Sequence, residues 1–338
     1  MRRSHLILLP VAALAAASLA ACGGQGGSDD GELNIVAAFY PLAYAAERIG
    51  GDDVTVTNLT PAGQEPHDLE LSPSDIAAIE QADYVVYLGD FIPELDAAID
   101  QYAAGKALDV ATAVDTIGYD DTEVFEPDHG EEGHDHEEGD EHAEEEHAEE
   151  AAEGEHSHDD ELEGTDPHLW LDPLRYAQIG DAIAAGLADV DDANADLYTA
   201  GAEEFTADLT ALDTAFTEGL AGRTSDAIVT SHAAFGYLAD RYGLTQVAIS
   251  GLSPDQEPDT QRMAEVADYV TDNGVTTIFF ETLASPDIAD TLAAETGAAT
   301  AVLNPLEGLT EDQTIAGDDY FTVMRENLAE LQTALGAA

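Results

Sequence analysis

The chain has 338 residues, 44% of them hydrophobic, which is long enough for two domains with substantial cores. Its 72 acids against 9 bases give a formal net charge of −63, which excludes a nucleic-acid-binding surface, because such a surface needs clustered bases. Residues 120–166 hold 24 acids and no Lys or Arg, so the remainder, with 48 acids against 9 bases, is itself very acidic, and high salt would screen its self-repulsion.

Residues 1–21 read as an export signal. Met1, Arg2 and Arg3 form a short basic start, and an Ala- and Leu-rich apolar run covers residues 6–19. That run is too short and too small in side chain for a spanning helix. It ends in Leu19-Ala20-Ala21-Cys22, which looks like a bacterial lipoprotein cleavage site, with Cys22 as the lipidated first residue of the mature chain. An ordinary cleaved signal ending in Cys is the alternative. Cys22 is the only cysteine, so neither an intramolecular disulfide nor a multi-thiolate zinc site is available. Gly, Asp, Ser and Gln dominate residues 22–32, a composition suited to a flexible tether.

From residue 33 onward strands and helices alternate. Residues 33–38 read as a buried strand, 40–49 as a helix ended by Gly50-Gly51, and 54–59 as a second strand. An irregular loop over 61–73 carries His67. A helix follows at 74–81, capped by Ser72 or Ser74, then a strand at 82–88 and a helix at 91–102. Residues 120–164 break the pattern: with almost no large apolar side chains, they cannot bury enough surface to offset the entropy of ordering, and they read as a disordered acidic insertion. Residues 172–187 read as a helix. Residues 192–222 contain no proline, and Leu197, Phe205, Leu209, Leu212 and Phe216 recur at helical spacing, which predicts a long stiff helix crossing between lobes. The alternation then resumes, with strands at 227–230, 245–249, 276–280 and 301–303 and helices at 233–242, 260–273, 288–296 and 320–335. The expected fold is α/β: an N-terminal lobe over residues 33–191, the connecting helix over 192–222 and a C-terminal lobe over 223–338, each lobe with a mostly parallel sheet.

Apart from His5, only three histidines lie outside the insertion. His67 sits in Glu65-Pro66-His67-Asp68. His168 sits in Asp166-Pro167-His168-Leu169-Trp170-Leu171-Asp172-Pro173, where two Asp-Pro pairs stiffen the backbone and the chain's one tryptophan lies nearby. His232 sits in Ser231-His232-Ala233, where a strand passes into a helix. His67 and His232 are thus predicted beyond the carboxyl ends of strands, where open α/β sheets present ligands. Each alone is more often a hydrogen-bonded structural residue, but three together point to one metal ion held by imidazole nitrogens. The insertion carries His129, His134, His136, His142, His147, His156 and His158, set among carboxylates that raise the local cation concentration; weak coordination there would collect zinc near His168. Deleting residues 120–163 is expected to remove weak zinc equivalents and leave one tight site.

These motifs, with Ala38-Phe39-Tyr40-Pro41-Leu42, Ser72-Pro73-Ser74-Asp75 and Phe235-Gly236-Tyr237, resemble those of the zinc- and manganese-binding lipoproteins that feed metal-uptake ABC transporters, and above all the zinc-uptake members. The resemblance runs from about Leu33 to the C-terminus. It implies two α/β lobes joined by a rigid helix with Zn²⁺ between them, and His67, His168 and His232 as ligands. His232, where manganese-type relatives tend to carry Glu, points to zinc, as does the His-rich insertion. For the fourth position Glu307 is the candidate, with Asn304 or a water as alternatives. Glu281, at the end of a predicted strand, reads as an acceptor for a ligand histidine's other ring nitrogen. The implied partners are the permease and ATPase of a zinc ABC transporter. The chain is read as a monomer on the outer face of the cell membrane, held there by its lipid. A manganese carrier, a secreted zinc hydrolase and an adhesin remain as alternatives; no zinc-protease helix motif or Gly-x-Ser-x-Gly elbow supports the hydrolase.

Overall fold

The apolar stretch Leu33–Ala37 forms the first strand (β1), with Ile35, Val36 and Ala37 buried, as expected of a strand covered on both faces. In the computed structural model, residues 32–118 and 164–337 are described. The expectations for the signal, Cys22, most of the tether and the seven histidines of the acidic insertion lie outside the described residues.

After β1 come α1 (Tyr40–Gly50), β2 (Val54–Asn58), α2 (Pro73–Gln81), β3 (Tyr84–Tyr87), α3 (Pro93–Tyr102) and β4 (Ala107–Asp109). Their sheet is parallel throughout, in the order β2-β1-β3-β4. The second half repeats the plan with β5 (Ala227–Thr230), α6 (Gly236–Tyr242), β6 (Thr245–Ala248), α7 (Thr260–Asp272), β7 (Thr277–Phe280), α8 (Asp287–Thr296) and β8 (Ala299–Val302). Its order, β6-β5-β7-β8, is the same permutation, again all parallel. In each sheet the connections reverse direction beside the first strand, and the crevice at the carboxyl ends of the strands lies there. Two helices close the chain, α9 (Glu311–Ala316) and α10 (Tyr320–Leu335).

The chain passes from the first sheet to the second through α4 (Pro173–Val190) and α5 (Ala195–Gly219), packed side by side. Asp172 caps α4 by accepting from the Leu174 and Arg175 backbone N–H groups, and Pro173 takes the first helical position, where its missing N–H costs nothing. At 25 residues, α5 is about 37 Å long. Near its start Gly201 lies against the backbone of Ile49 in α1, where a Cβ would come within 2.4 Å of the Ile49 carbonyl oxygen. At its end Gly219 lies against Leu328 and Gln332 of α10. The helix therefore touches both halves.

One core continues across the halves. Trp170 donates its indole N–H to the Pro305 carbonyl at 2.7 Å, and Tyr320 donates its hydroxyl to the Trp170 carbonyl at 2.7 Å. Tyr44, Tyr176, Phe205, Tyr320 and Phe321 pack ring against ring beside them.

Several elements differ from the sequence reading: α6 starts at Gly236 and not at residue 233, and β8 covers Ala299–Val302 where the sequence predicts 301–303. The long helix is preceded by a tight turn at Asp192–Asn194 and ends at Gly219, because Gly222 takes a left-handed conformation with φ of 80°. The strand β4 is three residues long, too short to show a period. The helix α9 buries no residue, so it has no apolar stripe; its signal was the Thr310–Gln313 capping box.

Candidate metal centre

Each histidine reaches the centre from a different local device. His67 lies in a single tight turn, Pro66–Asp68, that follows β2. His168 ends an extended segment just before the turn Leu169–Leu171, and Asp166 fixes it twice, accepting the His168 backbone N–H at 2.9 Å and its ring Nδ1 at 2.8 Å. His232 follows β5 by two residues, and Glu281 follows β7 by one. Because β5 and β7 are neighbours, Glu281 Oε1 comes within 2.6 Å of His232 Nδ1, and the Ser231 hydroxyl donates to the same oxygen.

With Nδ1 occupied, His168 and His232 turn Nε2 inward. Glu307 Oε1 meets His168 Nε2 at 2.9 Å, His67 Nε2 at 3.0 Å and His232 Nε2 at 3.5 Å. The Nε2 atoms of His168 and His232 are 3.4 Å apart, and the four donor atoms all lie within 4.8 Å of one another. A tetrahedral zinc with bonds of about 2.0–2.1 Å separates its donors by about 3.3–3.4 Å, so this set already has nearly the required dimensions. His168, His232 and Glu307 are fully buried, while His67 is slightly exposed at the rim and rests edge-on against Phe91 at 4.8 Å.

The electrostatics follow from that burial. For His168 and His232 burial disfavours the charged ring, but the facing carboxylates outweigh it, Asp166 and Glu307 for His168 and Glu281 and Glu307 for His232. Both pKa values are raised, that of His232 well above the ordinary imidazole value. Burial also opposes ionisation of Glu307, yet hydrogen bonds from three imidazoles hold its pKa well below the usual carboxylate range.

The structure brings His67, His168, His232 and Glu307 together and sets Glu281 behind His232. Asn304, the alternative fourth donor, turns its side-chain oxygen to the Leu306 N–H, which it accepts at 2.8 Å. Two acids were missed as site residues. Asp166 backs His168, and Glu65 lies beside Glu307, its own pKa raised to about 10 by burial and by that carboxylate. A shared pattern was visible in the sequence: Glu65-Pro66-His67 and Asp166-Pro167-His168 both place an acid two residues before a histidine across a proline. The described residues that flank 119–163 meet close to this centre: Gly118 pairs with Thr165, and the Ile117 carbonyl accepts the Asp166 N–H at 3.0 Å.

The profile of ZnuA, described as the periplasmic component A of the zinc-uptake complex, matches residues 35–334. The chain belongs to the ZnuA family. Among curated ZnuA-type relatives, it is 39% identical over 331 residues to the zinc-binding lipoprotein AdcA of Streptococcus pneumoniae, covering 96% of this chain and 60% of the relative. The chain therefore spans 60% of that relative's length. It is 36% identical over 326 residues to the high-affinity zinc uptake system protein ZnuA of Bacillus subtilis, covering 94% of this chain and 93% of the relative. The crystal structure of the Zn(II)-bound ZnuA-like domain of S. pneumoniae AdcA superposes with a TM-score of 0.69 at 34% identity, covering 90% of this chain and 99% of that domain. Two parallel four-stranded sheets and two α/β lobes are thus the ZnuA-like architecture.

Proposed function

We propose that this protein captures Zn²⁺ outside the cytoplasm and delivers it to the permease of an ABC importer, with His67, His168 and His232 binding through Nε2 and Glu307 through Oε1. The observation that carries the reading is the convergence of these four donors, on segments from both halves, into a set with nearly the dimensions of a tetrahedral site. Three neutral imidazoles and one carboxylate suit zinc, and the carboxylates behind two of the rings fix tautomer and orientation. Glu281 plays that part for His232. The names of the relatives support the same cargo.

The role is capture, not catalysis. A catalytic zinc keeps an open position for water or substrate, whereas here a fourth protein donor closes the set. No helix among the described residues is long and apolar enough to cross a membrane. Lipid on Cys22, followed by the tether, is the proposed anchor, and the permease and its ATPase are the proposed partners of a monomeric carrier.

Metal analysis of the protein as purified, followed by competition titration, tests the reading. One tight zinc per chain, not displaced by excess manganese, is the expected result. Displacement by manganese would assign the other cargo, and zinc-dependent ester hydrolysis abolished by His168→Ala would assign a hydrolase.

A further inference from the structure

We propose that Asn327, on α10 and outside the donor set, is the positioning residue that aims Glu307 at the metal. The inference rests on the reading of Glu307 as a ligand. The side chain of Asn327 is 2% exposed, in a stretch of α10 whose other buried residues include Val323, Met324, Leu328 and Leu331. A lone amide among those apolar side chains needs partners, and besides a 3.9 Å contact of its Nδ2 with the Met324 sulfur it has two on one backbone. Its Oδ1 accepts the Asn304 backbone N–H at 2.9 Å, and its Nδ2 donates to the Asn304 carbonyl at 2.7 Å. One side chain thus saturates both backbone groups of a buried residue, as a neighbouring strand would.

Asn304 passes the constraint onward. Its Oδ1 accepts the Leu306 N–H at 2.8 Å, closing a tight turn in which Leu306 takes φ of 59°. That left-handed conformation is uncommon for a leucine and persists only where its surroundings over-determine it. Three anchors hold it here: the Asn304 side chain, the Trp170 indole on the Pro305 carbonyl, and the fully buried Leu306 side chain. The turn reverses the chain so that the next residue, Glu307, projects to His67 and His168 at 3.0 and 2.9 Å. Without Asn327 both backbone groups of Asn304 would be buried and unpaired, and the loop would relax to satisfy them, taking Glu307 with it.

The test uses the full chain stripped of metal and loaded with Co²⁺, whose visible ligand-field bands report the number and kind of ligands. Glu307→Ala supplies the reference spectrum of a site lacking its carboxylate. Asn327→Ala is expected to shift the cobalt bands toward that reference and to weaken zinc binding about 10–100-fold, the usual cost of losing a residue that orients a ligand. Asn327→Asp, which keeps the acceptor and the shape but loses the donor, is expected to shift them the same way by less, and provides the result should Asn327→Ala fail to fold. Leu331→Ala, buried on the same helix, is the control: it lowers Tm while leaving the bands in place, so a general loss of stability is distinguishable. Wild-type bands and affinity in folded Asn327 variants, with a shifted Glu307→Ala spectrum, would overturn the inference. An unshifted Glu307→Ala spectrum would instead remove the ligand reading beneath it.

Discussion

Asp166 grips His168 at two points, ring and backbone, through a single carboxylate oxygen. That arrangement sets both where the ring stands and which nitrogen carries the proton. Asp166→Ala is therefore expected to weaken zinc binding by about 10–100-fold, although Asp166 is not itself a donor. Competition titration against a chelator of known affinity measures this. An unchanged affinity would show that the Pro-bracketed backbone alone suffices.

The three histidines are not equivalent. His168 and His232 are fully buried and carboxylate-backed, while His67 stands at the rim on a short turn. His67→Ala should leave a site that still binds zinc, with water in the vacated place and faster release. His168→Ala or His232→Ala should cost more affinity, because each also strands a buried carboxylate. Stopped-flow release rates and titrations of the three variants give the ranking; equal losses would contradict it.

The pH dependence follows from raised imidazole pKa values. In the metal-free protein, charged His168 and His232 contribute stability fully below the unfolded imidazole value of about 6.5, and that contribution is lost as pH rises through their folded values. Zinc requires the neutral rings, so its affinity should keep rising with pH beyond the range expected of an unperturbed histidine. The zinc-induced increase in Tm should grow over the same interval. A plateau beginning near pH 6.5 would show that the facing carboxylates do not hold these protons.

Salt should stabilise the fold. Two of the few bases hold helices together, Arg48 on Asp208 and Arg241 on Asp213, each at 2.8 Å, while Arg175 pairs with Asp172 at the start of its own helix. Acids outnumber bases 72 to 9, so they repel one another on balance, and at about 1 M salt the screening length falls to about 3 Å. Tm should rise by several degrees between dilute and molar KCl, since about 1 kcal/mol moves Tm by about 2–4 °C in a domain of 150–250 residues. A flat or falling Tm would mean that ion pairs, not repulsion, dominate the surface.

Gly201 is required by close approach. A methyl group there would meet the Ile49 carbonyl oxygen at 2.4 Å, and backbone cannot swing aside as a side chain can. Gly201→Ala should destabilise by about 1–3 kcal/mol through overpacking, despite alanine's better helix propensity. Urea unfolding measures it, and a stabilised variant would show that α1 and α5 can separate locally.

Much of this was legible in the sequence because its signals were local. The alternation of apolar runs and amphipathic stretches predicted both parallel sheets, and the scarcity of isolated histidines singled out the three that converge. What escaped was contact between distant segments. Nothing near Glu65 announces that it will meet Glu307, 242 positions away. Nor does Asn327 look unusual until the buried backbone of Asn304 is seen beside it. Three-residue β4 and six-residue α9 fell below the length at which periodicity can be read.

The helix α5 touches one half through Gly201, against the Ile49 backbone, and the other through Gly219, against the Leu328 and Gln332 side chains. A helix held in this way is expected to act as a strut of fixed length, which argues against the two halves closing like a pair of jaws. Full and empty forms of the proposed carrier are then expected to differ mainly in the loops at the mouth, and the proposed permease would have to read that local relief instead of a change in overall shape.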